Sequence, residues 1–294
     1  MKYLPEFEYL VPESVSELCL LLSRHRGKAC ILAGGTDLLI RLKRQEVSPE
    51  YVLDIGRIGE LSVLRDEGDH LFIGATATHT RVAESPLIKR EAPLLSEAAL
   101  SVGSVQIRNS GTIGGNIANA SPAGDTLPPL IALEAEASVV SQGGERSLPL
   151  SSLFSGPYQT TLAPDEFVAG IRFPKLAAKS GTCFLKLGRR RALAVSRITV
   201  AAIVVLDRKG LIQKARICPG AVLPSPCRMG QAEETLIGHS PDAGLFQKAG
   251  QWVAREMVRV TGRRASTPYK EPVVINLVQR ALTVAVERCL KREG

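Results

Sequence analysis

The sequence predicts an α+β fold in two parts: a longer N-terminal part of mixed helices and strands, then a part built on an antiparallel sheet. Three observations lead there. The first 60 residues alternate apolar strand, glycine turn, helix and strand. ASVVSQGGERSLPL, residues 137–150, reads as a hairpin turned at Gly143-Gly144. Beyond residue 181, FLKLG, ITVAAIVVLD and LIQKARICPG follow one another as a meander with a turn at Asp207-Arg208-Lys209-Gly210.

Each element has its own signal. Ala29 to Ala33 is a short apolar strand broken by Gly34-Gly35. Thr36 or Asp37 is placed to cap the helix DLLIRLKRQ, because their side-chain oxygens accept from its orphan N–H groups. YVLDIG is the next strand. LFIGATATHT is a strand running into a turn, with Thr78 or Thr80 opening a helix, and EAPLLSEAALSVGS carries another helix up to Gly103. TIGGNIANASPAGDTLPPLIALEA, residues 112–135, crowds small and turn-forming residues ahead of a buried helix that Pro128-Pro129 would start. DEFVAGIRFP is a strand ended by Pro174, and KLAAKSG, residues 175–181, reads as a linker. The last helix carries Val274, Leu277, Val278, Ala281, Leu282 and Ala285 along one face. The linker places the expected domains at 1–176 and 182–294.

Composition excludes several functions. The 294 residues are 45% hydrophobic and 22% charged, as in an ordinary globular protein. The net charge is +8, but aromatics are only 4%, and basic residues are dispersed apart from Arg189-Arg190-Arg191. A single-strand platform needs aromatics, so no nucleic-acid partner is expected. The N-terminus lacks the apolar stretch of a signal peptide, and charge interrupts the long apolar runs, as Arg197 does in ALAVSRITVAAIVV. No membrane span is expected, and a cytoplasmic location is. Six cysteines lie at 19, 30, 183, 218, 227 and 289 without a C-x-x-C pair, so reduced thiols are expected rather than a metal site.

Motifs of common enzyme classes are missing. No two glycines stand two positions apart, which removes the Rossmann fingerprint. There is no P-loop, no G-x-S-x-G and no H-E-x-x-H. His79 reads as a surface or capping group. What remains is a pair of glycine loops, ILAGGTDL (31–38) and TIGGN (112–116). Each offers backbone N–H groups without Cβ atoms in the way, and such a run forms an anion nest. Two loops of this kind fit the two sides of a pyrophosphate, with Asn116 placed either to lock the second or to bind a polar ligand edge. Two ordinary tight turns fit the same residues.

Five stretches in order carry a more specific likeness: ILAGGTDLL, IGATATHT, QIRNSGTIGGNIANASPAGDTLPPLIAL, KLGRRRALAVSRITVAA and GAVLPSPCRMGQAEETLIG. Together they span most of the chain, which resembles the FAD-binding medium subunit of the molybdenum hydroxylases, the xanthine dehydrogenase and carbon monoxide dehydrogenase family. The resemblance implies a PCMH-type (vanillyl-alcohol-oxidase-like) FAD-binding fold of two subdomains, about 1–57 and 58–176, followed by a C-terminal α+β domain with an antiparallel sheet. It implies non-covalent FAD, contacted by Ile31, Leu32, Ala33, Gly34, Gly35, Thr36, Asp37 and Leu38 along the diphosphate. Thr112, Ile113, Gly114, Gly115 and Asn116 would close over it, and Asp125, Val168 and Lys186 complete the set. Molybdopterin and two [2Fe–2S] clusters would belong to a large and a small partner subunit, with NAD+ or another carrier as acceptor. No residue of this chain is assigned a catalytic or metal-ligating role. Val102 stands where some relatives carry an aromatic ring, and Leu193-Ala194 where many carry an acid. A stand-alone flavoenzyme of the same superfamily and a cofactor-free scaffold subunit are the alternatives.

Overall fold

In the computed structural model, which describes residues 4–190 and 193–291, the first parallel sheet grows from short strands joined through helices. Strand β1 (Glu8–Leu10) leads into helix α1 (Val15–Arg24), where Ser14 caps by accepting from the Glu17 N–H at 3.1 Å. Strand β2 (Ala29–Leu32), helix α2 (Leu38–Lys43) and strand β3 (Tyr51–Asp54) follow, and the sheet order is β1-β3-β2, all parallel. The α1 face Leu18, Cys19 and Leu22 packs on Leu53, Ile55, Ile58, Leu61 and Phe167, the i, i+3, i+4 spacing of a core-facing helix.

A second sheet takes strands β4 (Leu64–Asp66), β5 (His70–Gly74), β6 (Glu136–Ser141), β7 (Gly144–Pro149) and β10 (Phe167–Pro174), in the order β4-β5-β10-β6-β7, all antiparallel. The hairpin is the one expected, with Ser141 opposite Gly144. Strands β8 (Phe154–Gly156) and β9 (Gln159–Thr160) form a small ribbon. Between β5 and β6 the chain is helical: α3 (His79–Glu84), α4 (Pro86–Glu91), α5 (Pro93–Ser101), α6 (Val105–Ser110), α7 (Ile113–Asn119) and α8 (Leu127–Ala132). Pro128 and Pro129 do open α8, where a missing N–H does no harm.

The C-terminal meander is β11 (Ser180–Gly188), β12 (Ser196–Leu206) and β13 (Ile212–Gly220), antiparallel in that order. A short α9 (Gly230–Glu234) precedes α10 (Ala243–Thr261) and α11 (Thr267–Lys291). Val274, Val278, Ala281, Leu282 and Ala285 of α11 are buried against this sheet, and Leu277 is partly so.

The chain folds as two units that interleave. One holds residues 1–82, 104–120 and 135–174, including the first two sheets. The other holds 83–103, 121–134 and 175–294. Composition marks only the last passage between them, at KLAAKSG. Helices α5 and α8 belong with the C-terminal sheet, against which they pack. All six cysteines are free thiols, four of them buried. Among the described residues no helix is long and apolar enough to cross a membrane.

Candidate functional site

Ile31 to Leu38 runs from the end of β2 into α2, half-buried except for the exposed Asp37. Gly35 has φ +69°, the left-handed region that only glycine enters without strain. Gly34 is needed for another reason. A Cβ there would lie 1.9 Å from the Ser110 carbonyl oxygen and 2.9 Å from the Gly111 Cα. The loop is pressed backbone to backbone on the end of α6. The expected cap is not made, since Asp37 has αR backbone and its side chain accepts no helix N–H. Among the described residues, the N–H groups of Gly34, Gly35, Thr36, Asp37 and Leu38 reach no protein acceptor. Five successive donors without a protein acceptor make a nest that favours an anion.

The second glycine stretch departs from the expected open loop. Thr112 caps helix α7, its hydroxyl accepting from the Gly115 N–H at 3.1 Å. The Ile113 and Gly114 N–H groups donate to the carbonyls of Ala77 and Ala75 at 3.0 and 2.8 Å, and Asn116 donates to Thr112 O. A Gly114 Cβ would sit 2.5 Å from the Ala75 Cβ and 2.8 Å from its Cα. These donors are used within the protein, so the stretch is a fixed wall and not a second nest. The Ala75 N–H in turn donates to Ala169 O at 2.9 Å, beside the register shift between Val168 and Gly170 in β10. That tie places the buried Val168 one peptide from the segment that holds α7.

His79, at the start of α3, is not the surface group its position suggested. It is 3% exposed, and its backbone N–H donates to Gly111 O at 3.0 Å. Burial, with Arg108 nearby adding to it, pushes the imidazole down to about 4. Its Nδ1 has no hydrogen-bond partner. A Gly111 Cβ would lie 3.2 Å from the His79 Cδ2 and 3.4 Å from the Thr36 Oγ1, so the imidazole and the first loop meet at one glycine. No pattern in the sequence signals this burial: His79 stands between two threonines, Thr78 and Thr80.

Asp125 and Lys186 lie in the other unit and meet there. Lys186 Nζ donates to Asp125 at 2.5 Å and to Ser101 O at 2.8 Å, and the Ser196 hydroxyl donates to the second Asp125 oxygen. Asp125 is 7% exposed. Burial pushes its carboxyl up, and Lys186 and Ser196 hold it back. Lys186→Met is expected to leave this carboxylate unpaired and lower unfolding free energy by about 3 kcal/mol. Urea titration of K186M and of the double variant K186M/D125N checks it: recovery in the double variant supports the pair, and an unchanged midpoint in K186M refutes it.

A family model described as the FAD binding domain in molybdopterin dehydrogenase matches residues 5–176, and the CO dehydrogenase flavoprotein C-terminal domain matches residues 184–285. The chain belongs to the flavoprotein subunits of the molybdenum hydroxylases. It is 34% identical to the carbon monoxide dehydrogenase medium chain of Hydrogenophaga pseudoflava over 97% of this chain and 99% of that one. Identity to the nicotinate dehydrogenase FAD-subunit of Eubacterium barkeri is 35%, over 79% and 80% of the two chains. Among solved structures, the carbon monoxide dehydrogenase of Hydrogenophaga pseudoflava superposes with a TM-score of 0.91 at 33% identity, covering 98% and 99%. The match of a molybdenum-hydroxylase flavoprotein along both chains bears out the fold expected from the sequence, an FAD-binding domain followed by a C-terminal domain with an antiparallel sheet.

Proposed function

We propose that this chain is the FAD-carrying electron-transfer subunit of a multi-subunit molybdenum hydroxylase. It would receive electrons from [2Fe–2S] clusters of a small partner subunit, while a large molybdopterin subunit oxidises the substrate. NAD+ or another soluble carrier would be the acceptor, in the cytoplasm. The observation that carries the reading is the turn at Gly34–Leu38, whose N–H groups reach no acceptor within the described residues and fit a diphosphate.

The protein's own contribution is binding and field. The Gly34–Leu38 donors would hold the cofactor's phosphates, and half-buried Ile31, Leu32 and Ala33 would give its flanks an apolar bed. Thr112 to Asn116 would close the opposite side as a rigid wall, with Val168 behind it. Asp125 and Lys186 are proposed cofactor contacts on the family resemblance alone. When bound, the flavin supplies storage for electrons that arrive singly and leave as a pair. No side chain of this chain need act as acid or base.

Affinity purification of the tagged chain from its own cells tests this. The expected result is a yellow complex with one FAD per copy, an iron–sulfur chain and a molybdopterin chain. A colourless chain that takes up no added FAD, or an active flavoenzyme that purifies alone, would refute it.

A further inference from the structure

His79 is the one feature of the loop region that the phosphate-binding turn does not account for. A neutral imidazole carries one N–H and one lone pair. Nδ1 is buried and has no partner. Nε2 is not among the buried unpartnered atoms and makes no hydrogen bond within the described residues, so Nε2 keeps some exposure. A proton on Nδ1 would seal an N–H away from any acceptor, which is worse than sealing a bare lone pair. The proton therefore belongs on Nε2. Nε2 is bonded to Cδ2, and Cδ2 lies against Gly111, whose Cβ position is also bounded by the Thr36 hydroxyl of the turn.

We propose that His79 presents a neutral Nε2–H donor to the phosphate group held at Gly34–Leu38, making it a cofactor-binding residue. The proposal rests on the FAD reading above. It explains why an imidazole is tolerated in a buried position with one nitrogen unpaired: the other edge is completed by the ligand. Burial, with Arg108 adding to it, is what holds the ring neutral.

The test uses the full chain stripped of FAD and titrated with it. Nitrogen-15 histidine spectra are expected to show the Nε2–H form before FAD is added and a shift of that nitrogen on binding. Three substitutions separate the ring atoms. In His79→Gln the amide nitrogen falls near Nε2, in His79→Asn near Nδ1, and His79→Leu has neither. Flavin fluorescence is expected to give affinity within about threefold of wild type for H79Q. For H79N and H79L, affinity is expected to be about ten- to a hundredfold weaker, as for loss of a hydrogen bond to an anion. The proposal is overturned by an Nδ1–H form, by an Nε2 signal that FAD leaves unmoved, by wild-type affinity in H79L, or by H79Q binding no better than H79L. A wild-type chain that binds no FAD overturns the functional reading along with it, whereas the other outcomes strike His79 alone.

Discussion

Gly34→Ala is expected to abolish FAD retention and to remove about 3 kcal/mol of stability, the upper range for overpacking a close contact. The added Cβ would stand 1.9 Å from the Ser110 carbonyl oxygen and 2.5 Å from its carbon. Both are backbone atoms at the end of a helix, so no rotamer change relieves the clash. The turn must lift off α6, and the five open donors move with it. Gly35→Ala is the control. Its Cβ would meet only the ends of Leu39 and Leu32, at 3.1 and 3.2 Å, and the main penalty is φ +69°, about 1 to 2 kcal/mol. Denaturant midpoints and flavin per chain measure both. Equal midpoints and full flavin content in G34A would show that the turn does not rest on α6.

The second large effect is acid lability centred on His79. Its imidazole titrates near 4 in the folded chain against an ordinary value of 6.5. Above pH 6.5 the group is neutral in both states and its contribution to stability is complete. As the pH falls below 6.5 the unfolded chain takes up a proton that the folded chain refuses, and stability drains away until about pH 4. The loss amounts to about 3 kcal/mol. Asp125, whose carboxyl is raised, acts in the opposite sense: its term is present at low pH and fades as pH rises through its folded value. Comparing wild type with H79L isolates the histidine. Urea midpoints between pH 7.5 and 4.5 are expected to fall more steeply in wild type, and parallel curves would contradict this.

Much of the fold was legible because its signals are local. The β11–β13 meander, the hairpin at Ser141–Gly144 and the apolar stripe of α11 each rest on a period or a turn within one short segment. Helix α7 was not legible. Ile-Gly-Gly-Asn has poor helix propensity, and the helix exists because Thr112 caps it and the carbonyls of Ala75 and Ala77 take its first donors. The cap expected from Thr36 or Asp37 is not made because Asp37 takes αR backbone in a turn whose Gly34 is seated on Ser110. Of the proposed cofactor residues, the pairing of Asp125 with Lys186 joins positions 61 apart, and no pattern in the sequence connects them. The burial of His79 likewise depends on Gly111, far along the chain.

The alternation of the polypeptide between its two units, at residues 82, 103, 120, 134 and 174, bears on how such a protein is made and inherited. Leu94, Leu95, Leu127 and Leu130 are buried in helices that leave the ribosome well before the strands β11, β12 and β13 that flank them, so these side chains must wait uncovered during synthesis. Nor can recombination at one point exchange either unit intact. Both halves must pass from ancestor to descendant as a single woven piece.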